Sequence, residues 1–113
     1  MSDVTPPADD VFDRIEATLI ERRDADPENS YVARLYARGP DAILKKIGEE
    51  AAELIMASKD GQLDGIVHEA ADVVFHIMAL LAFHDLSIDD VRQELARREG
   101  ISGVAEKQAR QSG

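Results

Sequence analysis

Between Leu63 and His84 the chain reads LDGIVHEAADVVFHIMALLAFH, and this segment restricts the fold more than any other. At roughly 100° per residue its apolar side chains point in nearly every direction, as in a helix covered on several sides. Relative to Glu69, Val73, Leu80 and Phe83 fall on one side, and Val67, Val74 and Met78 on the other. Both sides need apolar cover. The same helix carries Glu69, Asp72 and His76, and carboxylates rarely stand among apolar neighbours without a partner.

A second acidic row precedes it. In LKKIGEEAAELIMASK, Glu53 falls about 40° from Glu49 and about 60° from Glu50 around a helix, so the three share a flank. The apolar stripe of that helix is Ile43, Ile47, Ala51, Leu54 and Ile55, with Glu50 at its margin and directed to the core edge. Only Lys59-Asp60-Gly61 separates the two helices. So short a turn predicts a hairpin that brings both rows together, and like charges at close range repel unless a proton or a cation intervenes. A divalent cation is the economical solution. The alternative is a solvated first row, with the second paired to Lys or Arg at the core rim. Lys46 fits either reading, as an i,i+4 partner of Glu50 or as a phosphate contact. His76 reads as a hydrogen-bonded core histidine rather than a ligand, and His68 and His84 carry no signal.

The remaining chain predicts more helices and no strands, because β-branched alternation is missing throughout. Asp9 is the expected N-cap of a first helix that buries Val11, Phe12, Ile15 and Leu19, places Arg22 and Arg23 at its C-terminal dipole, and is closed by Pro27. Ser30 caps a short helix over 31–38 that ends at Gly39, and Pro40 opens the helix to Lys59. The central helix runs to His84. Ser87 and Asp90 form the capping box of the last helix, which Gly100 stops. The expected architecture is an all-α bundle of four to five helices in a single domain over 1–113, with an ordered core at about 9–100 and flexible ends at 1–8 and 101–113.

Charge and composition narrow the function. Asp and Glu number 23 against 13 Lys and Arg, a net charge of −10 that argues against binding long nucleic acids through phosphate. No cysteine is present, which removes disulfides and thiolate zinc sites. The opening MSDVTPPADD lacks an apolar h-region, and the longest apolar run, interrupted by His76, reads as too short for a membrane span. A cytoplasmic protein is the expectation. Hard oxygen ligands favour Mg²⁺, with Mn²⁺ as a substitute.

The pattern E-E-x-x-E followed by E-x-x-D resembles the MazG-like all-α nucleoside-triphosphate pyrophosphohydrolases. Taken with SYVARLYARGPDAILKKIGEEAAELIMASKDG and HEAADVVFHIMALLA, the stretch from Phe12 to Arg110 is similar to the phosphoribosyl-ATP pyrophosphatase family of histidine biosynthesis. The resemblance implies Glu50, Glu53, Glu69 and Asp72 as metal ligands, and Glu49 as the group that orients or deprotonates water. Lys45, Lys46 and Lys59 are the candidate phosphate contacts. It further implies release of pyrophosphate from phosphoribosyl-ATP to leave phosphoribosyl-AMP. Val32 stands where the family commonly has Thr, whereas Ser102, Gly103, Glu106, Lys107 and Arg110 follow the family's C-terminal pattern. A house-cleaning pyrophosphohydrolase acting on non-standard dNTPs and a non-catalytic helical dimerisation module remain as alternatives. In all three readings the uncovered sides of the central helix predict at least a homodimer.

Overall fold

The computed structural model describes residues 10–100 together with Lys107, Arg110 and Gln111. Five helices follow in order, α1 (Val11–Arg22), α2 (Tyr31–Ala37), α3 (Pro40–Lys59), α4 (Leu63–Phe83) and α5 (Ile88–Arg98), with no strand among the described residues. The all-α expectation is met. Of the tail, Lys107, Arg110 and Gln111 are helical and exposed, whereas the expectations for 1–9 and for Ser102, Gly103 and Glu106 lie outside the described residues.

The α3–α4 hairpin is the main packing unit. Its turn forms because Gly61 takes a left-handed φ of 67°, which lets the Gly61 amide donate to the Ser58 carbonyl and the Gln62 amide to the Ala57 carbonyl. Two of the last α3 carbonyls are thereby satisfied, and α4 starts at once. At its other end α4 closes with the same pair of bonds, Asp85 to Ala82 and Leu86 to Leu81, around Asp85 at φ 58°. Arg23 reinforces this end. Its guanidinium donates to the Ala82 carbonyl at 2.6 Å and to the Asp85 carboxylate at 3.0 Å, so it serves the C-terminus of α4 rather than that of its own helix.

Leu19, Leu35, Tyr36, Ile43, Met78, Ala79 and Ala82 meet in the core, together with Val32, which is an apolar packing residue here. The Tyr36 hydroxyl donates to the Ala79 carbonyl at 2.7 Å and satisfies the one polar atom that this ring buries. Burial stops halfway along α4. His76, Met78, Ala79 and Ala82 are buried, whereas Val67 is 71% exposed and Val74 and Ile77 are also open, so one chain covers only one side of the C-terminal half. Ile55, expected in the α3 stripe, is exposed as well.

Several other expectations need correction. The N-cap of α1 is Asp10, not Asp9: Asp10 and Asp13 exchange backbone-to-carboxylate hydrogen bonds of 3.0 and 3.3 Å, whereas three residues beyond Asp9 stands Phe12, which has no acceptor. Val11 and Phe12 are exposed, and only Leu19 of that stripe is fully buried. The helix ends at Arg22, well before Pro27. The α4 helix is, by length and composition, apolar enough to cross a membrane, contrary to the expectation from its interrupted run. Within this chain 22% of that apolar window is buried: its acids face α3, and His76, Met78, Ala79 and Ala82 are the residues it sinks into the core.

The last helix is held by charge. Glu16 of α1 accepts from the Ile88 amide at 2.6 Å and from the Ser87 hydroxyl at 3.2 Å, while Ser87 and Asp90 form the expected capping box. Arg92 reaches back to Asp10 at 2.7 Å and to Asp13 at 3.0 Å. No residue of α5 is fully buried.

Candidate metal and nucleotide site

The hairpin brings the two acidic rows together. Glu50, Glu53 and Glu69 each offer a carboxylate oxygen, and these oxygens lie within 4.8 Å of one another. Asp72 adjoins the group: it lines the same cleft as Glu50, and its carboxylate offers an oxygen within 4.8 Å of one from Glu69. Glu50 is only 8% exposed, and burial, the adjoining Asp72 carboxyl and the charges of Glu53, Asp72 and Glu69 push its pKa up to about 7. One buried oxygen, Oε1 of Glu69, has no hydrogen-bond partner. Carboxylates crowded in this way, one of them orphaned, fit a hard divalent cation: the donors are all oxygen, and an ion would relieve both the repulsion and the orphaned atom.

The neighbouring cations are few. Lys46 lies 3.8 Å from Glu49 and 3.9 Å from Glu50, so both sequence readings of Lys46 stay compatible with its place. Glu49 itself is not in the cluster. Its side chain is 48% exposed and ion-paired with Lys45 and Lys46, and only Lys46 links it to Glu50. Lys45 lies on the solvent side. Lys59 is exposed in the last turn of α3, roughly 9 Å along the axis from Glu53.

A cleft of about 420 Å³ opens beside the cluster, lined by Lys46, Glu50 and Asp72 together with Tyr31, Phe75 and His76. His76 is buried, as expected of a core histidine. Its Nδ1 is 2.8 Å from the Asp72 carbonyl, which can only accept, so Nδ1 carries a proton. In the neutral ring Nε2 then accepts from the Tyr31 hydroxyl at 2.9 Å. A larger open cleft of about 510 Å³ beside Arg23, Tyr36 and Phe83 contains none of these acids.

Two neighbours escaped the sequence reading. His68 stands one helical turn before Asp72, with Nε2 at 3.4 Å from Oδ2, and its i,i+4 spacing was the available signal. Tyr31 reaches the site from another helix, and no local pattern announces a contact between residues 45 apart.

The family model for phosphoribosyl-ATP pyrophosphohydrolase matches residues 12–99, a span that contains α3, α4 and every acid of the cluster. The chain belongs to this family. Among curated members of the phosphoribosyl-ATP pyrophosphohydrolase family it is similar to the phosphoribosyl-ATP pyrophosphatase of Dechloromonas aromatica, 60% identical over 101 residues that cover 89% of this chain and 94% of that protein. The Azoarcus sp. protein of the same name is 54% identical over 103 residues, covering 91% and 96% of the two chains. That of Bordetella bronchiseptica is 54% identical over 112 residues, covering 95% and 97%. The match to this pyrophosphohydrolase family therefore extends over nearly the whole length of each chain compared.

Proposed function

We propose that this protein hydrolyses phosphoribosyl-ATP to phosphoribosyl-AMP and pyrophosphate, the second step of histidine biosynthesis. Its membership of the pyrophosphohydrolase family supports the substrate. The observation that carries the chemistry is the convergence of Glu50, Glu53 and Glu69, with Glu50 and Asp72 lining an open cleft. Glu50, Glu53, Glu69 and Asp72 would hold Mg²⁺, or Mn²⁺ in its place. When bound, such an ion neutralises phosphate charge and makes a coordinated water more acidic.

The chain's own residues then divide the work. Lys46, at the cleft edge, binds a phosphate oxygen as a point charge, and Lys45 and Lys59 add charge further out. Glu49 is solvent-accessible and tied to Glu50 through Lys46, which suits it to orient the attacking water or take its proton. Water attacks at the α–β phosphoanhydride, the bridging P–O bond breaks, and pyrophosphate leaves. Fixed charge around the phosphates provides most of the rate enhancement, since little covalent work falls to the protein.

The functional unit is at least a homodimer with the site completed across the interface. Val67, Val74 and Ile77 on α4, with Val11 and Phe12 on α1, leave apolar surface that a second copy would cover. The deciding experiment measures pyrophosphate release from phosphoribosyl-ATP against a panel of dNTPs, with Mg²⁺ and with chelator. Preferential, Mg²⁺-dependent turnover of phosphoribosyl-ATP is expected. Faster turnover of a non-standard dNTP would transfer the site to house-cleaning chemistry, and no turnover of either would leave a helical dimerisation module.

A further inference from the structure

The cleft beside the acids is lined by two kinds of side chain, charged (Lys46, Glu50, Asp72) and aromatic (Tyr31, Phe75, His76), and the metal-and-phosphate chemistry uses only the first. We infer that Tyr31 forms the wall on which the nucleobase of the substrate stacks, held in place for that purpose by His76. The inference rests on the reading of this cleft as the nucleotide site and extends it to the group that distinguishes one nucleotide from another.

The two tyrosines make the case by contrast. Tyr36 is 9% exposed and donates to the Ala79 carbonyl, so hydroxyl and ring are both absorbed into the core. Tyr31 also has its hydroxyl tied, to His76 Nε2 at 2.9 Å, yet the residue stays 43% exposed and lines the cleft. A tyrosine needed only for packing would bury its ring. Here the polar end is anchored while the residue stays exposed and lines the cleft.

The anchor is itself built. His76 is 5% exposed in an otherwise apolar stretch of α4, and both its nitrogens are engaged, one by Tyr31 and one by the Asp72 carbonyl. Phe75 and Tyr31 both meet the imidazole edge-on, with ring centroids 5.2 and 6.1 Å away, which restricts its rotation. The chain Tyr31 to His76 to Asp72 therefore relates the aromatic wall to a residue of the acidic cluster. A base seated on Tyr31 is positioned relative to phosphates that Lys46, and an ion bound by Glu50 and Asp72, would hold, and the cleft, at about 420 Å³, is of the size that takes a small ligand. A π-face accepts any base, so stacking supplies affinity and alignment, while the tether supplies the order that makes them effective.

The chain has two tyrosines and no tryptophan, so ring-labelled tyrosine NMR reports Tyr31 against an internal control. With Mg²⁺ present, AMP should move the Tyr31 ring signals upfield and leave those of Tyr36 in place, whereas ribose 5-phosphate, which has no base, should move neither. In kinetics, Tyr31→Leu should raise KM for phosphoribosyl-ATP about tenfold with a smaller change in kcat, and Tyr31→Phe, which keeps the ring and loses the tether, should raise it less. Equal responses to AMP and ribose 5-phosphate, or an unmoved Tyr31, would overturn the inference even if hydrolysis proceeds normally. An AMP-induced Tyr31 shift in a protein that fails to hydrolyse phosphoribosyl-ATP would uphold the subsite and overturn the substrate proposed above. The wild-type spectra decide the matter should the Leu variant not fold.

Discussion

The two ends of this molecule treat carboxylates in opposite ways. Where α5 meets α1, acids and cations are matched: Arg92 joins Asp10 and Asp13, and Glu94 pairs with Arg97 and Arg98, which hold its carboxyl down at about 2. Along the α3–α4 hairpin the acids face one another, Lys46 is their nearest lysine, and Glu50 is pushed up to about 7. Pairing of the first kind holds an amphipathic helix in place at little cost in solvation. Crowding of the second kind works against folding, and in a chain with a net charge of −10 it persists where a ligand cation would relieve it.

The largest effect should come from removing charge at the crowded end. Glu50→Gln and Asp72→Asn keep shape, so pyrophosphate release should fall by about two orders of magnitude or more, while the fold survives and melts slightly higher in chelator. Near-normal turnover by both variants at saturating Mg²⁺ would remove the distinction between the two ends.

Next in size is the response of the intact protein to ions and pH. Mg²⁺ at about a hundred times its Kd should add roughly 2.7 kcal/mol, seen as a clear rise in Tm. The pKa of Glu50 is higher in the folded protein than in the unfolded chain, so the folded state holds the extra proton in the window between them. Stability in chelator should therefore fall as pH rises from about 4.5 to about 7 and level off above, and Glu50→Gln should flatten that slope. A melting curve indifferent to both Mg²⁺ and this pH range would mean that the crowded acids are merely solvated.

How far the sequence foretells such a contrast depends on range. The crowded cluster was legible because helical period and a three-residue turn suffice to bring Glu50, Glu53 and Glu69 together. The capping box at Ser87 was legible for the same reason. Asp9 against Asp10 was a choice between neighbours of one type, and only the reciprocal bond to Asp13 decides it. Arg23 at the α4 terminus and Tyr31 at His76 are contacts across 59 and 45 residues, which local pattern does not encode. The exposure of Val11 and Phe12 was hidden for a different reason: an apolar stripe says that cover is needed, not that the same chain provides it.

A smaller effect should follow at the margin of the site. Lys59→Ala should raise KM a few-fold and leave kcat nearly intact, because an exposed ammonium would bind ground-state and transition-state phosphate alike. An unchanged KM would return Lys59 to the solvated surface. The smallest effect belongs to the matched end: Arg92→Ala should lower Tm by only a few degrees, more at low salt than at high, with turnover per folded molecule unchanged. A large loss of activity would show that the two ends are coupled.

The turn at Gly61 has a consequence for which kinds of change the protein can survive. With two of its carbonyls closed by the Gly61 and Gln62 amides, the link between α3 and α4 has no slack, and it fixes the azimuth at which α4 departs. One residue added in the first turns of α4, ahead of Glu69, would rotate the helix beyond it by about 100° relative to that fixed start. Glu69 and Asp72 would then face away from Glu50 although no side chain had been altered. Length between the two acidic rows is thus as strict a requirement as the acids themselves, and an insertion or deletion in this stretch should dismantle the site with every side chain kept.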